Sequence, residues 1–224
     1  MSAAPILRLT GVSKDYGPSS NATPVLSGVN LTIEAGQKAS LIGPSGSGKS
    51  TLMSLISGLL RPTRGTVEVD GREMGTLDDS ARAHLRATRI GIALQSDNLI
   101  PFMTATENVE LAMAFVPGGS RQATRAKAEA LLERFGVGGR AQHRPRQLSG
   151  GEAQRVALAV AMANDPALLL ADEVVGQLDQ QTAGRVVDEI LTSDFAVMFV
   201  THDIALADLV EHRYEIRDGA VWPR

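Results

Sequence analysis

Apolar residues recur along this chain in two kinds of segment that alternate. Short alternating or continuously apolar runs predict strands over 6–12, 25–33, 38–42, 90–94, 167–171 and 196–200. Apolar residues at helical spacing predict helices over 49–60, 78–88, 104–115, 121–135, 152–163 and 182–191. The pairs Asp70-Gly71 and Asp218-Gly219 predict hairpin turns, because glycine readily adopts the positive φ that tight turns need.

The order of these segments predicts the fold class. Apolar strands that alternate with helices are typical of an α/β protein with a mainly parallel sheet. The stretch over about 97–163 contains predicted helices and no predicted strand, so we expect it to be a helical insertion. We therefore expect one domain over 1–224, in which an α/β core carries an antiparallel β subdomain and an inserted helical subdomain.

Composition and charge exclude several classes of function. The length of 224 residues and the 43% hydrophobic content fit one compact domain. The chain contains no cysteine, so it can form no disulfide and no thiolate metal site. Proteins that bind nucleic acid usually carry an excess of basic residues, whereas this chain has a net charge of -3. We therefore expect no nucleic-acid partner.

We expect neither a membrane-spanning segment nor a secretory leader in this sequence. A span needs about 18 or more consecutive apolar residues, and none occurs. The first residues lack a basic region followed by an apolar run. We expect a cytoplasmic protein that reaches a membrane only through a partner.

A glycine-rich loop between a predicted strand and a predicted helix carries the strongest motif. The pattern G-x-x-x-x-G-K-[ST] is matched by Gly43, Pro44, Ser45, Gly46, Ser47, Gly48, Lys49 and Ser50. Such a loop surrounds phosphates with backbone N–H groups at a helix N-terminus. We expect Lys49 to bind the β/γ-phosphates, Ser50 to bind Mg²⁺ and Thr51 to lie at the α-phosphate side. A Gly/Ser-rich surface loop is the alternative, and the flanking strand and helix argue against it. The motif therefore predicts that the α/β core has the fold of a P-loop NTPase.

Two carboxylates follow a buried strand. Asp172 and Glu173 end the run Leu168–Ala171, and ligands bind at the strand ends of open α/β sheets. We expect Asp172 to hold the Mg²⁺ shell and Glu173 to polarise a water towards the γ-phosphate. Acidic residues that merely close a strand are the alternative.

A second candidate anion site precedes a predicted helix. It consists of Ser149, Gly150, Gly151 and Glu152, in the sequence LSGGE. Adjacent glycines permit close backbone approach, and the N–H groups of a helix start attract anions. The alternative is an ordinary capped helix in which Ser149 and Glu152 form a capping box. Both interpretations stay open at this point.

Taken together, the glycine-rich loop, LSGGE and the ADE strand end resemble the nucleotide-binding subunit of ABC transporters over essentially the whole chain. The resemblance implies that Gln95 reaches Mg²⁺ and the attacking water. It also implies that His202 contacts the γ-phosphate, that Asp179 is the D-loop aspartate, and that Tyr16 stacks on adenine. NLIPFMTATENV and HRPRQLSGGEAQRVALA narrow the resemblance to the lipoprotein-release, macrolide-export and cell-division branch.

The resemblance implies an ATPase that uses ATP and Mg²⁺. It further implies a head-to-tail dimer with a second copy of the chain and a membrane permease as partner. In that dimer each ATP lies between one subunit's P-loop and the other's Ser149–Glu152 segment. The apolar run 99–103 is expected to form part of a groove for a permease helix, with a buried core segment as the alternative. The cargo does not follow from the sequence.

Two departures from the family pattern bear on function. Val174-Val175 stands where Pro-Thr usually follows the catalytic glutamate, which frees φ at that turn. The helix after LSGGE also lacks an arginine that is usual near Val160. Two other functions are alternatives to transport. A soluble ABC-type ATPase would have a long coiled-coil insertion or two fused cassettes, and a silent regulatory subunit would not need Lys49 and Glu173.

Overall fold

The structure is a computed structural model that describes residues 4–18, 21–94, 99–116 and 118–224. It divides into two compact units. The first unit comprises Met1–Arg86 and Phe195–Arg224, and the second comprises Ala87–Asp194.

Ten strands and seven α-helices make up the regular structure of the described residues. In chain order they are β1 (Leu7–Tyr16), β2 (Thr23–Ile33), β3 (Lys38–Ile42), α1 (Lys49–Ile56), β4 (Arg64–Val69), β5 (Arg72–Glu73), α2 (Asp79–Arg89), β6 (Ile90–Ala93), α3 (Ala105–Ala114), α4 (Arg121–Arg134), α5 (Gly150–Ala161), β7 (Leu168–Asp172), α6 (Gln180–Leu191), β8 (Ala196–Thr201), α7 (Ile204–Ala207), β9 (His212–Arg217) and β10 (Ala220–Pro223). Two short 3-10 helices cover Gly138–Arg140 and Pro145–Gln147.

The first unit contains two groups of strands. One is an antiparallel sheet in the order β2-β1-β4-β5. In the other, β3 lies parallel to both β8 and β9, and β10 pairs antiparallel with β9. Every residue of β8 is buried, which explains why all of its residues except the last, Thr201, are apolar. The expected antiparallel strands and mainly parallel core strands are both present in this unit.

The second unit packs four helices with a parallel pair of strands. Strands β6 and β7 pair in the register Ile90↔Leu168 to Ala93↔Ala171. Helix α3 begins with a capping box, in which Thr104 accepts from the Glu107 N–H and the Glu107 carboxylate accepts from the Thr104 N–H. Caps of this kind satisfy helix N–H groups that have no partner within the helix.

Most elements predicted from the pattern are confirmed, with changes at their ends. Helix α1 ends at Ile56 rather than at 60, and α5 begins at Gly150 rather than at 152. The short helix α7 and both 3-10 helices were not predicted. No helix among the described residues is both long enough and apolar enough to cross a bilayer. The single-domain organisation with an insertion over 97–163 stays a prediction.

Candidate active site

The glycine-rich loop joins β3 to α1 and leaves the start of that helix without a side-chain cap. Gly48 is the N-cap residue, with a left-handed φ of 104° that an L side chain rarely adopts. No acidic residue lies in the first turn of α1. No carboxylate in that turn therefore neutralises the partial positive charge of the helix start, which stays available to attract an anion.

Two polar side chains of this loop have unused hydrogen-bonding capacity. The Lys49 Nζ donates to the carbonyl oxygens of Gly43 at 2.7 Å and Pro44 at 2.9 Å. An ammonium has three N–H donors, so one remains for a ligand. The Ser47 Oγ is buried and has no hydrogen-bond partner among the described residues. A phosphate oxygen would satisfy both groups.

His202 leaves the same sheet edge as the glycine-rich loop. Strands β3 and β8 are parallel neighbours, and Ile42 pairs with Thr201 at their carboxyl ends. Gly43 follows Ile42, and His202 follows Thr201. The histidine is exposed at this edge. The fold thus brings together two of the predicted site segments that lie about 150 residues apart in sequence.

Tyr16 is connected to the glycine-rich loop through β2. It lies at the end of β1, where it pairs with Thr23, and Lys14 pairs with Leu26. Leu26 in turn lies against the loop, since a Cβ built on Gly48 would be 2.9 Å from Leu26 Cδ2. The Tyr16 side chain is 42% exposed. Tyr16 therefore presents an exposed aromatic ring at the end of β1, and β2 connects this strand end to the glycine-rich loop.

In the second unit, Asp172 ends β7 and Glu173 begins a tight turn. Glu173 has φ 50°, a left-handed value that is uncommon for a residue other than glycine. Val174 is only 1% exposed. The turn is closed by hydrogen bonds from Gly176 N–H to Glu173 O at 3.3 Å and from Leu178 N–H to Val175 O at 3.0 Å. The Val174-Val175 pair therefore supports an ordered turn without proline.

The start of α5 is a capping box, as one of the two interpretations of LSGGE predicted. Ser149 Oγ accepts from Glu152 N–H at 3.3 Å, and Glu152 Oε2 accepts from Ser149 N–H at 2.8 Å. Arg140 Nε also lies 2.7 Å from Glu152 Oε1. Hydrogen bonding to Arg140, and then to the Ser149 backbone, lowers the pKa of the Glu152 carboxyl to about 2. Glu152 is thus engaged in its own subunit.

The glycine pair of LSGGE packs against the turn that follows Glu173. A Cβ on Gly150 would lie 2.5 Å from Gln177 Oε1, and one on Gly151 would lie 3.0 Å from Gln177 O. Asp179 then caps α6 by accepting from Thr182 N–H at 3.0 Å. Hydrogen bonds from the side chain and backbone of Thr182 lower the pKa of the Asp179 carboxyl. Close packing explains the glycines, and sequence reasoning missed Gln177 because only the fold brings it to them.

Gln95 lies outside the described residues. The residue before it, Leu94, follows β6, whose last residue Ala93 pairs with Ala171 of β7. Gln154 of α5 is fully buried and donates to the Leu94 carbonyl at 3.5 Å. Strand β6 therefore ends beside Ala171, the residue that immediately precedes Asp172.

The apolar run at 99–103 is a folded loop with one outward aromatic residue. The buried Asn108 organises it by donating to the carbonyls of Ile100, Met103 and Thr104 and by accepting from Ile100 N–H at 2.7 Å. Leu99 is buried, whereas Phe102 is 70% exposed. The alternative of a buried core segment is wrong for Phe102, because its ring is not part of the core of the unit.

Comparison with known proteins decides the family. The model of the ABC transporter family matches residues 26–176, which is well over half of the chain.

The chain belongs to the ABC transporter family.

Named relatives place this ABC protein more narrowly. It is 44% identical over 98% of its length to the lipoprotein-releasing system ATP-binding protein LolD of Anaeromyxobacter dehalogenans, and it covers 93% of that protein. It is 39% identical over 98% of its length to the macrolide export ATP-binding/permease protein MacB of Marinobacter nauticus. The match spans only 34% of MacB.

A solved structure agrees with the fold. The ATP-binding cassette MJ0796, determined as a dimer in a post-hydrolysis state with ADP and Pi, has a TM-score of 0.92 and 37% identity to this chain. The match covers 97% of both chains. The predicted P-loop α/β fold and the resemblance to ATP-binding subunits of the lipoprotein-release and macrolide-export type are confirmed.

Proposed function

We propose that this chain is the ATP-binding and ATP-hydrolysing subunit of an ABC transporter. The observation that carries the proposal is the glycine-rich loop. Within the described part of the chain, it combines a helix start without a side-chain cap, an ammonium with one N–H left for a ligand and a buried hydroxyl without a hydrogen-bond partner. Because Lys49 is already held by two carbonyls, little side-chain freedom is lost when the phosphates bind. Tyr16 would stack on the adenine.

Mg²⁺ would be held jointly by the protein and the nucleotide. Among the described residues no group of three or more acidic, histidine or cysteine side chains forms a metal cage. Mg²⁺ is commonly bound by one or two carboxylates together with substrate phosphates. Ser50, Asp172 and Gln95 would supply a hydroxyl, a carboxylate and an amide oxygen as ligands. When bound, the ion would neutralise charge on the β- and γ-phosphates.

Glu173 is the proposed general base for hydrolysis. Its carboxylate would accept a proton from the attacking water, and the Lys49 ammonium would stabilise charge on the transferred phosphoryl group. His202, at the same sheet edge as the loop, would contact the γ-phosphate. The left-handed backbone at Glu173 is consistent with a catalytic role, because strained backbone is concentrated at functional sites.

Two copies of the chain would complete the sites. In the proposed head-to-tail dimer, Ser149, Gly150, Gly151 and Glu152 of one subunit close on the ATP of the other, and Asp179 lies in the D-loop at that interface. The dimeric state of MJ0796 supports this arrangement. The capping box does not oppose it, since the N–H groups of Gly150 and Gly151 appear in no side-chain cap.

We further propose that the chain works at the cytoplasmic face of the cell membrane, bound to a permease of the lipoprotein-release or macrolide-export type. The relatives LolD and MacB support this partner class. The exposed ring of Phe102, on a loop fixed by Asn108, would contact the permease. An amphipathic permease helix in a groove is the expected mode of contact.

An ATPase assay on Lys49→Ala tests the proposed function. Removal of the ammonium takes away a charge at the phosphates in a partly buried loop, so turnover should fall by at least about a hundredfold. Lys127→Ala is the matched control, because its ammonium forms an exposed ion pair with Asp165 in the second unit. The control should keep turnover within about twofold. Wild-type turnover in Lys49→Ala would contradict the assignment of the loop.

A further inference from the structure

Lys14 lies over the ring of Tyr16. The Lys14 Nζ is 5.3 Å from the ring centroid, within the range of a cation–π interaction. Residues two apart on a strand project to the same face, which places the two side chains side by side on β1. The Lys14 side chain is half-buried, whereas Tyr16 is exposed.

The ammonium of Lys14 is fixed in this position. It donates to the Arg61 carbonyl at 2.9 Å, so it is held both by a backbone oxygen and by the ring. A free lysine side chain samples many rotamers, and this anchoring removes most of that freedom. The cation therefore covers one face of Tyr16 as a stable feature of the fold.

The segment around Arg61 is itself joined to β1. Thr63 N–H donates to Ser13 O at 2.8 Å, and Asp15 N–H donates to Thr63 Oγ1 at 3.0 Å. Arg64 lies 3.7 Å from the Asp15 carboxylate. These contacts hold the strand end that carries Tyr16 against the segment that anchors Lys14. The Tyr16 ring, the Lys14 ammonium and the Arg61 carbonyl are thus held together by one connected set of contacts.

We propose that Lys14 is a positioning residue for base recognition. Its ammonium fixes the Tyr16 ring and covers one face, and the opposite face receives a single planar base. The inference rests on the proposed function, because it requires that the base of a nucleotide stacks on Tyr16. It adds a residue that no sequence motif singled out. The signal for it was the i, i+2 spacing of a cation and an aromatic residue on one strand.

The test compares two ligands that differ in the base. Lys14→Met keeps a linear apolar side chain and removes the charge. By titration calorimetry with Mg²⁺ present, its Kd for ATP should rise about two- to fivefold, the range that an exposed cation–π contact supplies. Its Kd for inorganic triphosphate should stay at the wild-type value, because that ligand has no base. Lys14→Arg should restore ATP affinity, since a guanidinium also binds an aromatic face.

A double-mutant cycle separates positioning from a general charge effect. In a Tyr16→Ala background, Lys14→Met should leave the Kd for ATP unchanged, because the ring through which Lys14 acts is absent. Equal weakening of ATP and triphosphate would show that Lys14 acts on the phosphates and would overturn the proposal. An unchanged Kd for ATP in Lys14→Met would also overturn it.

Failure of the proposed function has a different signature. A wild-type protein that binds neither ATP nor triphosphate would refute nucleotide binding as such. A wild-type protein that binds both, with no selective loss of ATP affinity in Lys14→Met, would refute only the role of Lys14. Thermal melting of each variant confirms that it is folded, and Lys14→Gln, which also removes the charge, provides the same readout if Lys14→Met does not fold.

Discussion

At the scale of single residues, Glu152 shows how a side chain in the proposed recognition segment can also stabilise its own helix. Its carboxylate accepts from the Ser149 N–H and pairs with Arg140. The contacts stabilise the ionised form, so the pKa of Glu152 is lowered from 4.5 to about 2. A lowered folded-state pKa means that these contacts contribute to stability above pH 4.5. The contribution is lost as the pH falls from 4.5 towards 2.

Glu152→Ala should lower the free energy of unfolding by about 1 kcal/mol at pH 7, because it removes half of a capping box and an ion pair. The difference from wild type should shrink as the pH falls below 4.5, since the Glu152 carboxylate of the unfolded state then takes up a proton, whereas that of the folded state stays ionised down to about pH 2. Urea unfolding at pH 7, 5.5, 4.5 and 3.5 measures this difference in the free energy of unfolding. Glu152→Gln should lose less, because Gln can also serve in a capping box. A difference that is independent of pH would argue against the ionised contacts.

At the scale of elements, two helical glycines have opposite surroundings. Gly184 lies within α6 and has no atom within 4 Å of a built Cβ. Gly151 lies in the first turn of α5, where a Cβ would be 3.0 Å from Gln177 O and 3.1 Å from Leu178 Cδ2. Helix propensity favours alanine at both positions, but only Gly184 has room for it.

Gly184→Ala should therefore stabilise the protein by about 0.5–1 kcal/mol, because alanine loses less backbone entropy than glycine on folding. Gly151→Ala should give no such gain, since a backbone oxygen would have to move, and it should reduce ATPase activity. Urea unfolding of both variants provides the comparison. Equal stabilisation by the two substitutions would show that the turn after Glu173 leaves room for a Cβ at Gly151.

The sequence predicted elements well where hydrophobic pattern alone decides, as in the apolar β8 and the strand β3. It failed where local chemistry overrides periodicity. The start of α5 was placed too late because two glycines are poor helix formers, although the Ser149 cap was among the interpretations. Helix α7 has only four residues and depends on the Asp203 cap. The left-handed φ of Glu173 follows from tertiary structure and has no pattern in the sequence. The i, i+2 spacing of Lys14 and Tyr16 is visible in the sequence, but only the structure shows that the ammonium lies over the ring.

At the scale of the whole molecule, the proposed dimer makes assembly depend on ATP. Glu173→Gln keeps the side-chain shape and removes the base, so this variant should bind Mg-ATP, hydrolyse it very slowly and accumulate as a dimer. Light scattering after gel filtration, with and without Mg-ATP, measures the mass.

Adding Ser149→Arg to Glu173→Gln should abolish the ATP-driven dimer, because a bulky side chain would occupy the place of the partner's γ-phosphate. Nucleotide binding by the P-loop of the same subunit should be retained and serves as the control. An ATP-independent dimer would indicate a different interface. A monomer under saturating ATP would contradict a dimer formed by this subunit alone.

The contact between the Gly150-Gly151 pair and Gln177 bears on how the two nucleotides of such a dimer bind. In the proposed dimer, one end of this contact would face the partner's nucleotide, and the other lies in the turn that begins at the subunit's own Glu173. If a shift at one end moves the other, thermodynamic reciprocity requires that each nucleotide changes the affinity for the other by the same factor. The two ATP molecules would then bind cooperatively, so a wild-type Hill coefficient above one should fall towards one in Gln177→Gly.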